Sequence, residues 1–196
     1  MKKEMILLIL SDVLILSSFG LISPIFAIFL TDNIVDGSLV AAGLASAVFF
    51  ITKSVTQLPL SRIIDKNHHK VVLLLIGTLL VAIVPFLYLW STHMKGIYFA
   101  QIIYGLGTAL AYPTWFSLFT KFIDKKHKGF EYSVWSTGVG IGSAITAYLG
   151  AELASVDGFN FVFFIVGGFS ICGFILLFFI NHWHWKKLKK LAMIRI

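Results

Sequence analysis

The chain has 196 residues, of which 58% are hydrophobic and only 13% are charged, against about 45–50% and about 25% in ordinary soluble domains. So little charge cannot cover a water-exposed surface, which excludes a cytosolic enzyme, a nucleic-acid-binding protein and a disordered chain. The single cysteine excludes a disulfide scaffold and a cysteine-based zinc site. The placement of the basic residues that give the net charge of +7 points to a membrane surface as their partner. The sequence therefore indicates an integral membrane protein.

Six long apolar stretches follow one another along the chain, and each has the roughly 20 residues that a transmembrane helix needs. They predict an all-α, six-helix membrane bundle that forms a single domain over residues 1–196. The short links leave no room for a separate soluble domain. The predicted spans cover residues 5–30, 38–61, 71–90, 96–120, 132–154 and 158–181.

Lysine and arginine concentrate on one side of the predicted bundle. That side carries the N-terminus, the links after the second and fourth spans, and a basic tail over residues 185–196, whereas the other side carries only Lys95. Basic loops remain in the cytoplasm. We therefore predict a multi-pass protein of the plasma or inner membrane with both termini cytoplasmic, and we interpret the tail as an anchor to the bilayer surface.

The predicted spans differ in polarity. The third and sixth contain almost no hydrogen-bonding side chains, so we expect them to face lipid. The other four carry several serine, threonine, glutamine and tyrosine residues, which need partners inside a membrane and should face one another or a wet cavity. Pro24 and Pro113 lie at comparable depth in the first and fourth spans. This placement suggests a nested three-plus-three repeat, although proline is common in membrane helices generally.

Two charged residues lie inside predicted spans. Asp12 lies about 10 Å into the first span and Lys53 about 13 Å from the cytoplasmic end of the second, at 1.5 Å per residue. An isolated charge at such depth costs at least about 2.5–3.5 kcal/mol. We therefore expect both side chains to face the bundle interior, where they can form an ion pair. Two interpretations stay open: a site for substrate or a proton, and a structural pair that fixes helix register.

Small residues recur every four positions in the fifth predicted span. Such spacing forms a smooth ridge on which another helix can approach closely. We predict a helix-packing role for Gly138, Gly142 and Gly150.

The link after the second span, SRIIDKNHHK over residues 61–70, is similar to the G-x-L-A-D-R-x-G-R-K signature of the major facilitator superfamily. That signature lies at the same cytoplasmic link, and the whole chain resembles the amino-terminal half of such a transporter. Asp65 takes the place of the signature's Asp, Lys66 of its Arg and Lys70 of its final Lys, while Ser61 replaces its first Gly.

The link after the fourth span, DKKHKG over residues 124–129, looks like the family's acidic residue followed by Arg-Gly. In the family the two links form a charge cluster that latches the outward-facing state. The family's arginine in the fourth span, often linked to proton coupling, is Gln101 here, which leaves a coupling ion open. The resemblance implies a cytoplasmic latch made of Ser61, Asp65, Lys66, Lys70, Asp124, Lys128 and Gly129.

In the family, helices one, two, four and five line the cavity or the interface between the halves. The polar residues of these predicted spans are therefore the expected lining of a solute cavity. The candidate cavity residues are Asp12, Lys53, Gln57, Gln101, Tyr104, Tyr112 and Trp115.

The resemblance implies a secondary transporter, not an enzyme, that moves a small solute by alternating access without a metal or cofactor. The two halves of such transporters share one orientation, so a second copy of this chain is able to take the place of the other half in a homodimer. Three alternatives stay open: pairing with a different six-helix protein, a truncated and inactive transporter, and a non-transporting membrane module such as an anchor.

Overall fold

The structure is a computed structural model that describes the backbone of residues 1–193 and the side chains of residues 1–179. The side chains of the basic tail, interpreted above as an anchor, lie outside the described residues. Within the described part the chain forms seven helices: α1 (Lys3–Ile22), α2 (Phe26–Asn33), α3 (Leu39–Lys66), α4 (Lys70–Trp90), α5 (Met94–Phe122), α6 (Lys128–Val156) and α7 (Phe159–Met193).

The first predicted span is divided into α1 and α2. Ser23, Pro24 and Ile25 separate the two helices, because proline has no N–H to donate to the preceding turn. The chain crosses the break in a tight turn, where the Ile25 N–H donates to the Ile22 carbonyl over 3.1 Å. The other prolines lie inside longer helices, namely Pro59 in α3, Pro85 in α4 and Pro113 in α5.

Successive links lie at opposite ends of the bundle. At one end, the Val35 N–H donates to the Thr92 carbonyl over 2.9 Å, which joins the link after α2 to the link after α4. At the other, the amino group of Met1 lies 3.8 Å from Glu131 Oε1 near the start of α6. We call this second end, which also holds residues 67–69 and 123–127, the basic end.

The helices pack in the order α3, α5, α4, α7, α1, α6, each against the next. α4 lies within this order and buries ten of its 21 residues. α3 and α6 lie at its two ends, where α3 buries three of 28 residues and α6 two of 29. The expectation that the third and sixth spans simply face lipid is thus wrong in part. Apolar side chains suit a helix–helix contact as well as lipid, and α4 and α7 pack against each other.

Two glycines allow α5 to lie between α3 and α4. A Cβ atom at Gly105 would lie 2.8 Å from the Cβ of Thr52 on α3, and one at Gly107 would lie 2.9 Å from the Cβ of Leu80 on α4. Both distances are shorter than ordinary contacts, so the absence of a side chain lets the helices approach closely.

Among the described residues, five helices are long and apolar enough to cross a membrane by length and composition: α1, α3, α4, α6 and the Phe159–Phe179 part of α7. α5, which corresponds to the fourth predicted span, is outside this group because Gln101, Pro113 and three tyrosines interrupt its apolar sequence. Gln101 and Thr114 of this helix are buried inside the bundle. The all-α membrane fold is confirmed, while the crossing by α5 stays a prediction.

Candidate substrate cavity and charge clusters

A cavity of about 510 Å³ lies between the two end helices of the bundle. α3 contributes Ser46, Phe49 and Phe50, and α6 contributes Ser143 and Ala147. The remaining walls come from α1, α2, α4 and α5. They consist of Leu16, Phe19, Gly20, Ile22, Ser23, Phe26, Tyr88, Gln101 and Tyr104. We call this the larger cavity.

Three aromatic rings form a column along its wall. Phe19 of α1 stacks on Tyr104 of α5 with ring centroids 5.0 Å apart and planes 10° apart. Tyr104 in turn stacks on Phe49 of α3 at 4.4 Å and 26°. The column thus joins α1 to α5 and α5 to α3, of which only α3 and α5 are neighbours in the packing order, and it provides an apolar, aromatic surface to a bound molecule.

A smaller cavity of about 80 Å³ adjoins the same Phe19–Tyr104 pair, since both residues line it as well. Asp12 lies in its wall and accepts a hydrogen bond from Trp135 Nε1 over 2.7 Å. The Oγ1 atom of Thr108, in the same wall, is buried and has no hydrogen-bond partner among the described residues. The smaller cavity therefore combines a partnered carboxylate with an unpartnered hydroxyl.

The ion pair that the sequence allowed between Asp12 and Lys53 is not present in the described part of the chain. Asp12 lies on α1, which packs mainly on α6 and α7, whereas Lys53 lies on α3, which packs mainly on α5. The ammonium of Lys53 lies 5.2 Å from the ring centroid of Tyr112 and 6.0 Å from that of Phe49. Similar depth in the membrane did not bring the two charges together, because their helices are not neighbours in the bundle.

The structure divides the predicted cavity residues into four groups. Gln101 lines the larger cavity, Tyr104 lines both, and Asp12, Tyr112 and Trp115 line the smaller one. Trp115 is buried and donates from Nε1 to the Leu8 carbonyl over 3.2 Å. Lys53 and Gln57 are in neither lining, and the Gln57 carbonyl accepts a hydrogen bond from Ser61 Oγ over 2.7 Å.

The basic end holds a third cavity, of about 410 Å³, beside the link after α3. Asp65, Lys70 and Lys121 are among its lining residues. The Lys70 ammonium donates to Ser117 Oγ on α5 over 2.6 Å, so this lysine ties α4 to α5. Lys66 is exposed at the end of α3.

Asp124 belongs to a separate group of charges between α5 and α6. Its carboxylate accepts from the Lys126 N–H over 2.9 Å and lies 3.2 Å from His127 Nδ1. These two bonds, the backbone one foremost, hold the pKa of the Asp124 carboxyl below its ordinary value. The Asp124 N–H donates to Oε2 of the buried Glu131 over 3.1 Å.

The predicted latch residues thus lie at one end but in two groups. No ion pair joins Asp65 or Lys66 to Asp124 within the described residues. Lys128 and Gly129 are exposed in the first turn of α6.

α1 packs along the small-residue ridge of α6. A Cβ atom at Gly142 would collide with Ser17 Oγ, and one at Gly150 with the Leu21 carbonyl oxygen, while Gly138 lies against Val13. Thr146, between these glycines, donates from Oγ1 to the Ser17 carbonyl over 2.6 Å.

The sequence profile of the Major Facilitator Superfamily matches residues 8–191. The chain belongs to the Major Facilitator Superfamily. This confirms the predicted resemblance and places the chain in a family of secondary membrane transporters.

Curated relatives and a solved structure support the same family. Over 134 residues, or 66% of its length, the chain is 26% identical to the voltage-gated purine nucleotide uniporters of Homo sapiens, Rattus norvegicus and Mus musculus. The crystal structure of the POT family transporter PepTSo matches 93% of the chain with a TM-score of 0.79 at 18% identity. That identity is low, so the match establishes the fold alone.

The matched part spans only 30–31% of the uniporters and 38% of the transporter in that crystal structure. The chain therefore corresponds to less than half of these superfamily members.

Sequence reasoning missed several residues that shape these sites. Trp135, the hydrogen-bond partner of Asp12, lies about as far from the basic end as Asp12 does. Because a buried carboxylate requires a donor at its own depth, this match in depth was a usable signal. Glu131 is the acidic residue in the first turn of α6. Phe19 and Phe49 carried no signal, because apolar rings are expected throughout membrane helices.

Proposed function

We propose that this superfamily member transports a small solute by alternating access, as a homodimer of six-helix halves in the plasma or inner membrane. The observation that carries the proposal is the position of the larger cavity. It lies between α3 and α6, the helices with the least buried surface, and so on the face where a second half would pack.

The exposed faces of α3 and α6 support a partner rather than lipid alone. Both faces carry large apolar side chains, including Ile51 and Val55 of α3 and Ile141 and Ile145 of α6. They also carry polar groups, such as the exposed Ser54 of α3 and the exposed Ser136 of α6. Hydroxyl groups at this depth favour a protein or a water-filled cavity over hydrocarbon.

A second copy of the chain is our proposed partner because it would insert with the same orientation. The halves of superfamily transporters are related by an axis along the membrane normal, and rotation about that axis brings α3 and α6 of one copy toward those of the other. Rocking of the copies would then expose the cavity to either side in turn. If α5 is the fourth of six crossings, the positive-inside rule supports a cytoplasmic position for the basic end and for both termini.

A different six-helix partner is the second candidate, and a non-transporting membrane module is the third. Native mass spectrometry of the protein released from lipid nanodiscs separates them. The homodimer predicts a main species of twice the 21.8 kDa chain mass. A co-purifying second protein would favour the mixed pair, and a clean monomer would contradict the homodimer.

Cysteine cross-linking then tests which faces meet. In a Cys172→Ser background, Ile51→Cys on α3 or Ile145→Cys on α6 should form cross-linked dimers in membranes. Ile175→Cys, equally apolar and exposed on α7, is the matched control and should stay monomeric. Cross-linking through α7 but not through α3 or α6 would contradict the proposed interface.

Transport itself is tested by solute uptake into proteoliposomes. Uptake that saturates with concentration and shows counterflow would support alternating access. A cross-linked dimer that neither binds nor moves any solute from a broad panel would favour the non-transporting module.

A further inference from the structure

Lys53 lies at the middle of α3. It is the fifteenth of 28 residues, which places its Cα about 20 Å from either end of the helix at 1.5 Å per residue. Lysines near the ends of membrane helices carry their ammonium groups to the surface. A four-carbon stem is too short to do so from this position, so the charge stays at the level of the cavities.

The Lys53 ammonium lacks a carboxylate partner among the described residues. Its neighbours are the ring faces of Tyr112 and Phe49, at 5.2 and 6.0 Å from the centroids. Ring faces attract a cation, but they carry no net charge. The charge of Lys53 is therefore not neutralised, and it attracts a negative group in the space beside these rings.

Phe49 lines the larger cavity, whereas Tyr112, the nearer of the two rings, lines the smaller one. The described lining of the larger cavity has no acidic or basic side chain. Its polar side chains are three serines and Gln101, together with the hydroxyl-bearing Tyr88 and Tyr104. A cation in this cavity would meet no carboxylate and would be repelled by Lys53. Asp12 faces the smaller cavity and is held by Trp135.

Flat apolar surfaces lie beside the same charge. Phe49 has two roles. Its ring lies under the Lys53 ammonium, and it is the end member of the column that continues through Tyr104 to Phe19. Tyr104 is covered on both faces by Phe19 and Phe49, so a planar group would contact the ring edges of the column, a geometry that aromatic pairs favour. A negative group on that planar molecule would be attracted by the nearby ammonium.

We propose that the larger cavity binds planar organic anions, with Lys53 pairing with the negative group and the Phe49–Tyr104–Phe19 column contacting the ring. The inference rests on the proposed transport function and names the chemical class of its solute. It makes Lys53 a residue that determines specificity by charge.

Three probes of nearly equal shape test the charge preference: benzoate, benzamide and benzamidinium carry charges of −1, 0 and +1 on one planar frame. Their affinities for the purified full-length protein are measured by the shift in its thermal unfolding midpoint with ligand concentration. We expect benzoate to raise the midpoint at concentrations where benzamide and benzamidinium do not. Stronger stabilisation by benzamidinium, or no response to any of the three, would overturn the proposal.

Variants of Lys53 test its role directly. Lys53→Gln should weaken benzoate binding at least about tenfold, or about 1.4 kcal/mol, whereas Lys53→Arg should retain most of it. Lys95→Gln removes the same charge at the end of the bundle opposite the basic end, and it should leave benzoate binding unchanged. If Lys53→Gln folds, as judged by its own unfolding transition, and binds benzoate as tightly as the wild type, the proposal is wrong.

Uptake of the same probes separates this proposal from the proposed function. Benzoate binding without uptake in proteoliposomes would count against transport while supporting the anion site. Uptake of benzamidinium in preference to benzoate would support transport and overturn the anion site. Loss of the dimer in Lys53→Gln with unchanged benzoate affinity would also overturn it, since Lys53 would then pair across the interface.

Discussion

Trp135 on α6 donates a hydrogen bond from Nε1 to Oδ2 of Asp12 on α1 over 2.7 Å. The same indole packs against Trp115 of α5, with ring centroids 4.9 Å apart. Hydrocarbon offers no donor that could replace a lost hydrogen bond to this carboxylate. The bond therefore helps to fix the position of α1 along α6. It lies nearer to the basic end than the glycine contacts at Gly138 and Gly142.

The first prediction concerns this bond. Trp135→Phe keeps an aromatic ring but removes the N–H, which leaves the Asp12 carboxyl without its donor. We expect the free energy of unfolding to fall by about 1–3 kcal/mol, the typical cost of an unsatisfied buried group. Equilibrium unfolding in mixed micelles measures the change.

Adding Asp12→Leu to Trp135→Phe supplies the control. Replacing both partners by apolar groups can be nearly neutral, so the double variant should recover part of the lost stability. A double variant whose loss equals the sum of the two single losses would show that the bond contributes little to α1–α6 packing.

The second prediction concerns the small-residue ridge of α6. In Gly150→Ala the new methyl would collide with the backbone of Leu21, so α1 must move away from α6. We expect a loss of about 1–3 kcal/mol, typical of overpacking, visible as a lower thermal unfolding midpoint.

Gly140→Ala is the matched control, because a Cβ there meets no atom within 4 Å. It should be neutral or slightly stabilising, since alanine is the better helix former by up to about 1 kcal/mol. Equal losses in both variants would rule out close packing at Gly150 as the cause.

The family and the all-α membrane fold follow from local features of the sequence. Apolar stretches of membrane length depend on composition alone, and the resemblance to the family signature in residues 61–70 depends on a few neighbouring residues. Neither requires knowledge of which helices touch. The division of the first span at Pro24 also has a local cause, although the sequence did not lead us to predict it.

Helix neighbours decide the site, and the sequence does not specify them. The matching depths of Asp12 and Lys53 allowed an ion pair, yet α1 packs on α6 and α3 packs on α5. The low polarity of α4 and α7 likewise did not distinguish lipid contact from helix contact, because both surfaces are apolar. Phe49 and Phe19 become identifiable only when the packing order is known, whereas Trp135 shares the depth of Asp12.

The third prediction concerns pH and Asp124. Hydrogen bonds from the Lys126 N–H and then from His127 lower the pKa of this carboxyl in the folded protein. The stability that it contributes is therefore complete above the unfolded pKa of about 3.9 and is lost as pH falls through the lower folded value.

Asp124→Asn removes this titration. The stability difference between the wild type and this variant should be constant near neutral pH and should shrink below about pH 4. The effect should be small, because the Asp124 side chain is 45% exposed and solvent weakens such interactions. A difference that grows toward acidic pH would contradict the lowered pKa.

The last prediction concerns the unpartnered hydroxyl in the smaller cavity. Thr108 Oγ1 is buried without a hydrogen-bond partner in the described part of the chain, whereas Thr114 Oγ1, six residues further along α5, donates to the Leu110 carbonyl over 2.6 Å. Thr108→Val removes an uncompensated polar atom and should leave stability unchanged or raise it by about 1 kcal/mol. Thr114→Val removes the hydrogen bond to Leu110 and should lower stability by about 0.5–1.5 kcal/mol.

If unfolding measurements instead show that Thr108→Val is the more damaging change, then the Thr108 hydroxyl has a partner in the membrane-embedded protein. A water or ion bound beside Asp12 in the smaller cavity would account for that result, because the cavity adjoins both side chains.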